Sequence, residues 1–436
     1  MKFIKLKKIF GIGTFFIVFC FCIFFNLLFA SYGSLGTEIF TDENGNRVMY
    51  NTISLYPEFS IWKLSIGLDV RLYIDQEGNV RKNNWDTWDD ILDKIWYIRY
   101  GQKGESIFIN FGGIDSATLG HGTIFNRYSN MIRYPEVKKV GLLFDVNFDS
   151  WGMETLISNL DRKEVFGARF YYRPLIKSGL FLIDKLTFGI SGGMDTNPDD
   201  KDETKKDEIS VVAVDVEIPI LKTKTISTTW FTDIAQMKLG DVYTNYHNYV
   251  KGTVTLNAKS SDNGNGYITG FLGKLLFLDY KLVYKNLDNN FIYAFFDRFY
   301  DVERIYKANI ISDTSKPRQE GYIAELSYSY KNLFSIFVSY DDMKSDDYGI
   351  YPWLHAEIAI SKELLINKFS FSASIDKKDF KNWKTFKKLD TPNTLLNLEL
   401  GYAIAPNAMI YMIKQENFDE YNNHITKTKF ELRIMF

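Results

Sequence analysis

Apolar residues in this chain recur at every second position, and that period decides more about its fold than any motif does. In residues 60–74, SIWKLSIGLDVRLYI, one parity holds Trp62, Leu64, Ile66, Leu68, Val70, Leu72 and Ile74. The other holds Lys63, Ser65, Gly67, Asp69 and Arg71. Side chains of a strand alternate between its faces, so this is a ribbon with one apolar and one polar side, and no helical period fits it. The pattern returns at Val140–Phe148, Val212–Ile220, Leu276–Tyr284, Tyr322–Tyr330 and Leu396–Ile404.

Soluble sandwiches alternate as well, so the period alone does not choose the solvent. Length does more: several stretches exceed the roughly 5 or 6 residues of a soluble strand and reach the roughly 9–11 that a tilted membrane strand needs. The polar parity carries full charges in mid-strand, as a water-filled lumen requires. Tyr73, Tyr171, Tyr284, Tyr340, Tyr402 and Phe436 fall near strand ends, where aromatic girdles meet the two interfaces. With 36 Phe and 28 Tyr, the chain has the aromatic supply for them.

Connections alternate in length. Residues 101–104, 150–152, 221–224, 331–332 and 405–407 are tight turns; 75–93, 115–138, 195–208, 238–248, 298–318, 342–352, 377–393 and 417–426 are long and polar. The fold expected is all-β: a closed antiparallel transmembrane β-barrel with short periplasmic turns and long extracellular loops. About 18 to 20 strands are expected, or 16 if marginal ones merge, since such barrels close on an even number. Residues 59–436 would form it.

Ahead of it, Lys2, Lys5, Lys7 and Lys8 precede an apolar stretch that ends in NLLFAS, the layout of a secretory signal peptide cleaved after Ala30. An uncleaved anchoring helix is the competing reading. Cys20 and Cys22 lie inside this stretch behind phenylalanines, which suits neither a disulfide nor lipid attachment. Cleavage would leave 48 Lys+Arg against 54 Asp+Glu, taking formal net charge from −2 to −6, with no electrostatic footprint for nucleic acid. Residues 31–58 read as a periplasmic N-terminal segment and a candidate plug.

The chain stops on FELRIMF, with Phe430, Leu432, Ile434 and Phe436 on one face and Glu431 and Arg433 on the other. This strand resembles the C-terminal signal of bacterial outer-membrane β-barrel proteins of porin-like type. The resemblance implies recognition by the barrel-assembly machinery, residence in the outer membrane of a diderm bacterium, outer-membrane lipids as surroundings, and both termini on the periplasmic side.

Candidate pore-lining residues follow from the polar parity: Lys63, Asp69, Arg71, Asp145, Asp215, Glu217, Glu325, His355, Glu357, Glu399, Glu431 and Arg433. In the long connection LGHGTIFNRYSN, glycines permit close packing, and His121, Asn126 and Arg127 would sit at a constriction if the loop folds inward. Residues 85–96, WDTWDDILDKIW, read as a short amphipathic helix or as girdle tryptophans. FFDRFYDVER (295–304) reads as a self-neutralising loop, and the acidic run 195–208 as a solvated tip without calcium-loop spacing. His355 and Glu357 share a strand face, but no nucleophile motif accompanies them, so no catalytic residue, metal or cofactor is expected.

The expected function is passive diffusion of ions or small solutes, weakly selective because the wall charges are mixed. The alternatives are a substrate-specific uptake channel with an occluding loop, and an adhesin or receptor displaying loops; a homo-oligomer is compatible with each.

Overall fold

A computed structural model of the chain describes residues 32–41, 47–81, 94–132, 134, 137–162, 164–180, 183–198, 208–239, 263–288, 290–311, 318–344, 351–389, 391, 394–418 and 424–435. The leader to Ala30, Phe436 and most of 85–96 lie outside these residues. In chain order the elements are β1 (Tyr32–Thr41), β2 (Arg47–Tyr56), β3 (Glu58–Ile61), β4 (Leu64–Leu68), β5 (Val70–Ile74), β6 (Ile95–Tyr100), β7 (Ile107–Gly112) and β8 (Phe125–Asn126). Then come β9 (Gly141–Asn147), β10 (Trp151–Ile157), β11 (Val165–Tyr172), β12 (Thr187–Asp195), β13 (Ile209–Lys222), β14 (Ile226–Leu239), β15 (Gly264–Leu275), β16 (Leu278–Leu287) and β17 (Phe296–Asp297). The remainder are helix α1 (Tyr300–Ile311), β18 (Gln319–Tyr330), β19 (Phe334–Met343), β20 (Trp353–Ile360), β21 (Phe369–Lys378), helix α2 (Trp383–Phe386), β22 (Thr394–Ala405), β23 (Ala408–Phe418) and β24 (His424–Met435). Among the described residues twenty-two strands belong to the large sheet, and β8 pairs with β17 apart from it.

The chain divides into two compact units. The smaller takes the residues up to Arg99, with Ile404–Ile410 and the end from Glu431. Here β1 pairs with β2 along its whole length, from Tyr32 opposite Tyr56 to Thr41 opposite Arg47, and its other edge pairs with β24, Tyr32 opposite Met435 to Leu35 opposite Leu432. Of residues 31–58, expected as a segment ahead of the sheet, Tyr32–Thr41 and Arg47–Tyr56 are therefore strands within it. Small hydroxyl residues hid them: Ser34, Thr52 and Ser54 occupy buried positions where charges stand elsewhere.

Residues 60–74 are corrected too. They are not one strand but a hairpin: Ile61 faces Leu64 and Glu58 faces Gly67 across a turn at Trp62 and Lys63, with φ 57° at Trp62. β5 continues against β2, Val70 opposite Leu55. Proline lacks an N–H for the ladder, and the break between β2 and β3 falls at Pro57; β4 and β5 break only at Asp69. Counting through those two single-residue breaks reduces 22 strands to 20.

In the larger unit, an unbroken antiparallel run of neighbours leads from β7 through β9 to β16 and on through β18 to β22. The alternation anticipated from sequence is explicit on β13: Val212 and Val214 are 55% and 53% exposed, whereas Val211, Ala213 and Asp215 are buried. Ile190, Ile234, Phe271, Leu282, Tyr322 and Leu326 repeat the exposed apolar positions on neighbouring strands. So the face left bare is the apolar one, and the face carrying the charges is covered.

Candidate functional site

The described residues of two connections of the larger unit cover that polar face: those of 113–140, between β7 and β9, and those of 288–311, between β16 and β18. The first doubles back on itself, Ala117 and Tyr128 exchanging backbone hydrogen bonds at 2.8 and 2.9 Å. Its base is tied by Asn130, whose Oδ1 accepts from the Ile114 amide at 2.7 Å and whose Nδ2 donates to the Ser158 carbonyl at 2.7 Å. At the tip the chain turns through Gly120 (φ 54°) and Gly122 (φ 86°), left-handed conformations that glycine adopts without steric cost.

The second segment joins the first by backbone. The Ala294 amide donates to the Thr123 carbonyl at 2.9 Å and the Phe296 amide to Ile124 at 3.1 Å, so β8 and β17 form a short parallel pair. Phe125 stacks on Phe296 with centroids 4.5 Å apart. Phe291, Ile292, Tyr293, Ala294, Phe295 and Phe296 are all buried. A six-residue apolar run without alternation, inside a chain that otherwise alternates, is what a segment enclosed on every side requires.

Charged pairs then fasten both segments to the strands. His121 faces Asp233 of β14 through Nδ1 at 2.8 Å and Glu217 of β13 through Nε2 at 3.4 Å, and its ring stacks on Phe231. Carboxylates on both sides favour the doubly protonated ring. Burial lowers the His121 pKa, but the hydrogen bond to Asp233 and the nearby Glu217 carboxylate outweigh it and push the value up to about 9. Thr123 donates to the same Asp233, and Lys281 of β16 donates to the His121 carbonyl at 2.8 Å. Beside them Arg169 of β11 holds Asp215 in two hydrogen bonds of 3.1 and 2.7 Å. His121, Asp215 and Asp233 converge as ligands of a cation would, yet Arg169 and the imidazolium already supply positive charge there.

The second segment is anchored more heavily. Arg304 of α1 binds Asp195 at 2.8 Å and Glu164 at 3.2 Å, and the Tyr300 hydroxyl donates to Asp195 at 2.6 Å. Lys139 bridges Glu164 and Asp301, tying the two segments to a shared carboxylate. Lys307 meets Asp297 at 2.7 Å; Lys378 of β21 meets Glu303 at 2.8 Å, with its ammonium over the rings of Phe299 and Trp353. Arg298 reaches Glu357 at 3.0 Å, and Glu357 continues through His355, at 2.9 Å, to Asp376, at 2.7 Å. The segment 295–304 therefore does not neutralise itself. Its charges find partners on the strands, on the other segment, at Glu164 and at Lys307 further along α1, because buried ions need partners.

The expected residues are thus distributed unevenly. Asp215, Glu217, His355 and Glu357 lie under the two segments. Asp145 is buried on β9 beside Lys103, at 3.5 Å, and Glu325 accepts from Ser339 at 3.4 Å. Asn126 sits in β8; Arg127, at φ 54°, holds its guanidinium over the Phe337 ring at 4.8 Å. Asp69 pairs with Arg71 at 2.9 Å, and Glu431 with Arg433 at 3.2 Å, both in the smaller unit. Glu399 is half-buried on β22. Lys63 is an exposed turn residue, not a wall residue, because the hairpin reverses there. Phe430 is 64% exposed while the adjacent Glu431 is buried, and Leu432 and Ile434 are half-buried.

Asp195, foreseen as part of a solvated tip, is instead a fully buried anchor; residues 199–207 lie outside the described ones. Sequence reasoning also passed over Arg169, Asp233, Glu164 and Lys378. All stand in or beside strands, and their signal was a charge recurring on the polar parity; Arg169 shows it in VFGARFYY and Asp233 in TWFTD.

No protein-family model and no curated protein matches the chain at sequence level. Solved structures similar to it include the outer membrane protein OprD from Pseudomonas aeruginosa, 9% identical, covering 94% of this chain and 93% of that one with a TM-score of 0.31. Pseudomonas aeruginosa OccK3 (OpdO) is 10% identical, covering 93% and 94%, TM-score 0.33. Acinetobacter baumannii OccAB2 is 8% identical, covering 93% and 97%, TM-score 0.34. Likeness at that level carries no argument about solute or mechanism.

Proposed function

We propose that the sheet closes through the β1–β24 pairing into a 20-stranded outer-membrane barrel, and that this barrel is a solute-specific channel, narrowed from within by residues 113–140 and 288–311. The leader to Ala30 would direct export, and the terminal strand would engage the barrel-assembly machinery. Bare apolar positions such as Val212, Val214 and Ile234 suit contact with lipid. A barrel of this strand number leaves a wide lumen unless something fills it. The observation that carries the reading is the pairing of two inserted segments through β8 and β17, both fixed by buried ion pairs. Such an arrangement favours selection among solutes over the wide, weakly selective passage that the sequence first suggests. Wall and segment charges line whatever path remains, so small polar or charged solutes are the class it would pass.

Swelling of liposomes that contain the refolded full chain tests this. Entry of a few small charged solutes, with neutral sugars of the same size excluded, is expected. Equal rates for all solutes of a given size would return the account to a general pore, and no entry of any solute would end it.

A further inference from the structure

The connection between β21 and β22 carries a surface that the proposed channel does not use. Residues 380–389, FKNWKTFKKL, hold four lysines and no acid, in a chain whose formal net charge is −2. Lys381, Lys384, Lys387 and Lys388 are all exposed, and among the described residues none of them forms an ion pair. Interleaved with them is an aromatic stack: Trp383, 67% exposed, lies face to face with Phe386 at 5.1 Å, and Phe386 meets Phe380 at 5.1 Å. The turn is built firmly. Asn382 caps α2 by accepting from the Lys384 and Thr385 amides, each at 3.0 Å, and its own amide donates to the Thr385 hydroxyl at 3.1 Å.

The stack continues sideways onto the strands. Phe380 contacts Tyr340 of β19 edge-on at 6.4 Å. Tyr340 belongs to the bare apolar face, since it is 39% exposed while Ser339 and Asp341 on either side are buried. The patch therefore extends the outward face of the sheet and not the covered one. Exposed lysines around an exposed tryptophan at the rim of a lipid-facing surface combine the two elements of interfacial binding, an amphipathic ring at headgroup level and cations for anionic headgroups.

We propose that Lys381, Lys384, Lys387, Lys388 and Trp383 bind the phosphorylated headgroup of a membrane lipid in the leaflet on the long-loop side; this rests on the outer-membrane reading above. Each lysine near an anionic surface contributes roughly fivefold, so losing all four should weaken retention by about several hundredfold before screening and by at least about tenfold after it.

The test is native mass spectrometry of the refolded full chain in micelles, titrated with bis-phosphorylated lipid A and, separately, with dephosphorylated lipid A. The expected result is retention at least tenfold tighter for the phosphorylated lipid. That preference should disappear in the variant Lys381→Ser, Lys384→Ser, Lys387→Ser, Lys388→Ser and persist in the turn variant Lys222→Ser, Lys224→Ser. Trp383→Ser should weaken both lipids several-fold. An unchanged preference in the quadruple variant overturns the proposal. So does full competition by inorganic phosphate or by a soluble sulfated polysaccharide, which would make the patch a general anion site. Planar-bilayer recording of the same samples separates the two readings: conductance without lipid preference sinks only this proposal, whereas failure to insert sinks the membrane reading and this one with it.

Discussion

Arg304 of α1 grips Asp195 at the end of β12 through two hydrogen bonds, Nε to Oδ2 at 2.9 Å and Nη2 to Oδ1 at 2.8 Å, across 109 residues of chain. Asp195 is wholly buried, so Arg304→Ala strands a carboxylate without water or cation. Breaking a buried pair from one side costs about 3–5 kcal/mol. The cost should fall on the docking of residues 290–311, not on the sheet. Limited trypsin digestion should therefore cut this segment at least tenfold faster in the variant while far-UV circular dichroism keeps its strand signal; an unaltered cutting rate would show that the pair does not hold the segment.

The wall itself leaves room for the insert. A Cβ at Gly193 of β12 would stand 2.6 Å from Ile124 and Phe125 and 2.9 Å from Phe296, and one at Gly167 of β11 would stand 2.6 Å from Phe125. Gly193→Val should displace the paired tip of both segments, with an overpacking cost of about 1–3 kcal/mol. Chemical denaturation should register a lower-stability phase, and tryptic sites in 113–140 should open. Wild-type behaviour in both assays would mean that the tip does not rest against these strands.

Docking of the first segment should depend on pH. The folded-state pKa of His121 is raised, to about 9, above the ordinary histidine value of 6.5. Its contribution is therefore complete below about pH 6.5 and is lost as pH rises through about 9, amounting to on the order of 3 kcal/mol. The groups facing the ring are Asp233, Glu217 and Arg169, with Lys281 on its backbone carbonyl. Protease access to residues 113–140 should rise between those pH values in the wild type and stay flat in His121→Gln. A profile that rises towards acid instead has the wrong sign for this account.

Lipid contact by the bare face has its own assay. Val214 is 53% exposed in mid-strand on β13. Val214→Arg should cost about 2–4 kcal/mol for a chain folded in lipid vesicles, since charge on the lipid face is penalised near the midplane. Were the same substitution neutral in vesicles, that face would be in water.

Much of the sheet was legible because its face assignment is written in parity, as Val212, Val214 and Asp215 illustrate. Parity fails at turns. The two-residue turn at Trp62 and Lys63 places Ile61 opposite Leu64, so odd-numbered apolar residues before the turn share a face with even-numbered ones after it. With only a few residues on the near side, the shift is invisible and the hairpin reads as one strand. The insert was half legible. Glycines around His121 marked the first segment, but the second was read through its charges, whose partners 100 or more residues away no local rule supplies: Tyr128 with Asp301 and Arg304 with Asp195 are examples. The unalternating run Phe291–Phe296 was the signal that could have placed it inside.

The central claim is that the inserted segments narrow an aqueous path, and single-channel recording in planar bilayers measures it most directly. The refolded full chain should give small discrete steps. A variant with residues 120–126 replaced by a glycine-serine linker should give steps several-fold larger, because Phe125 and His121 no longer fill the space. Steps of equal size in the two proteins, or none in either, would contradict the account.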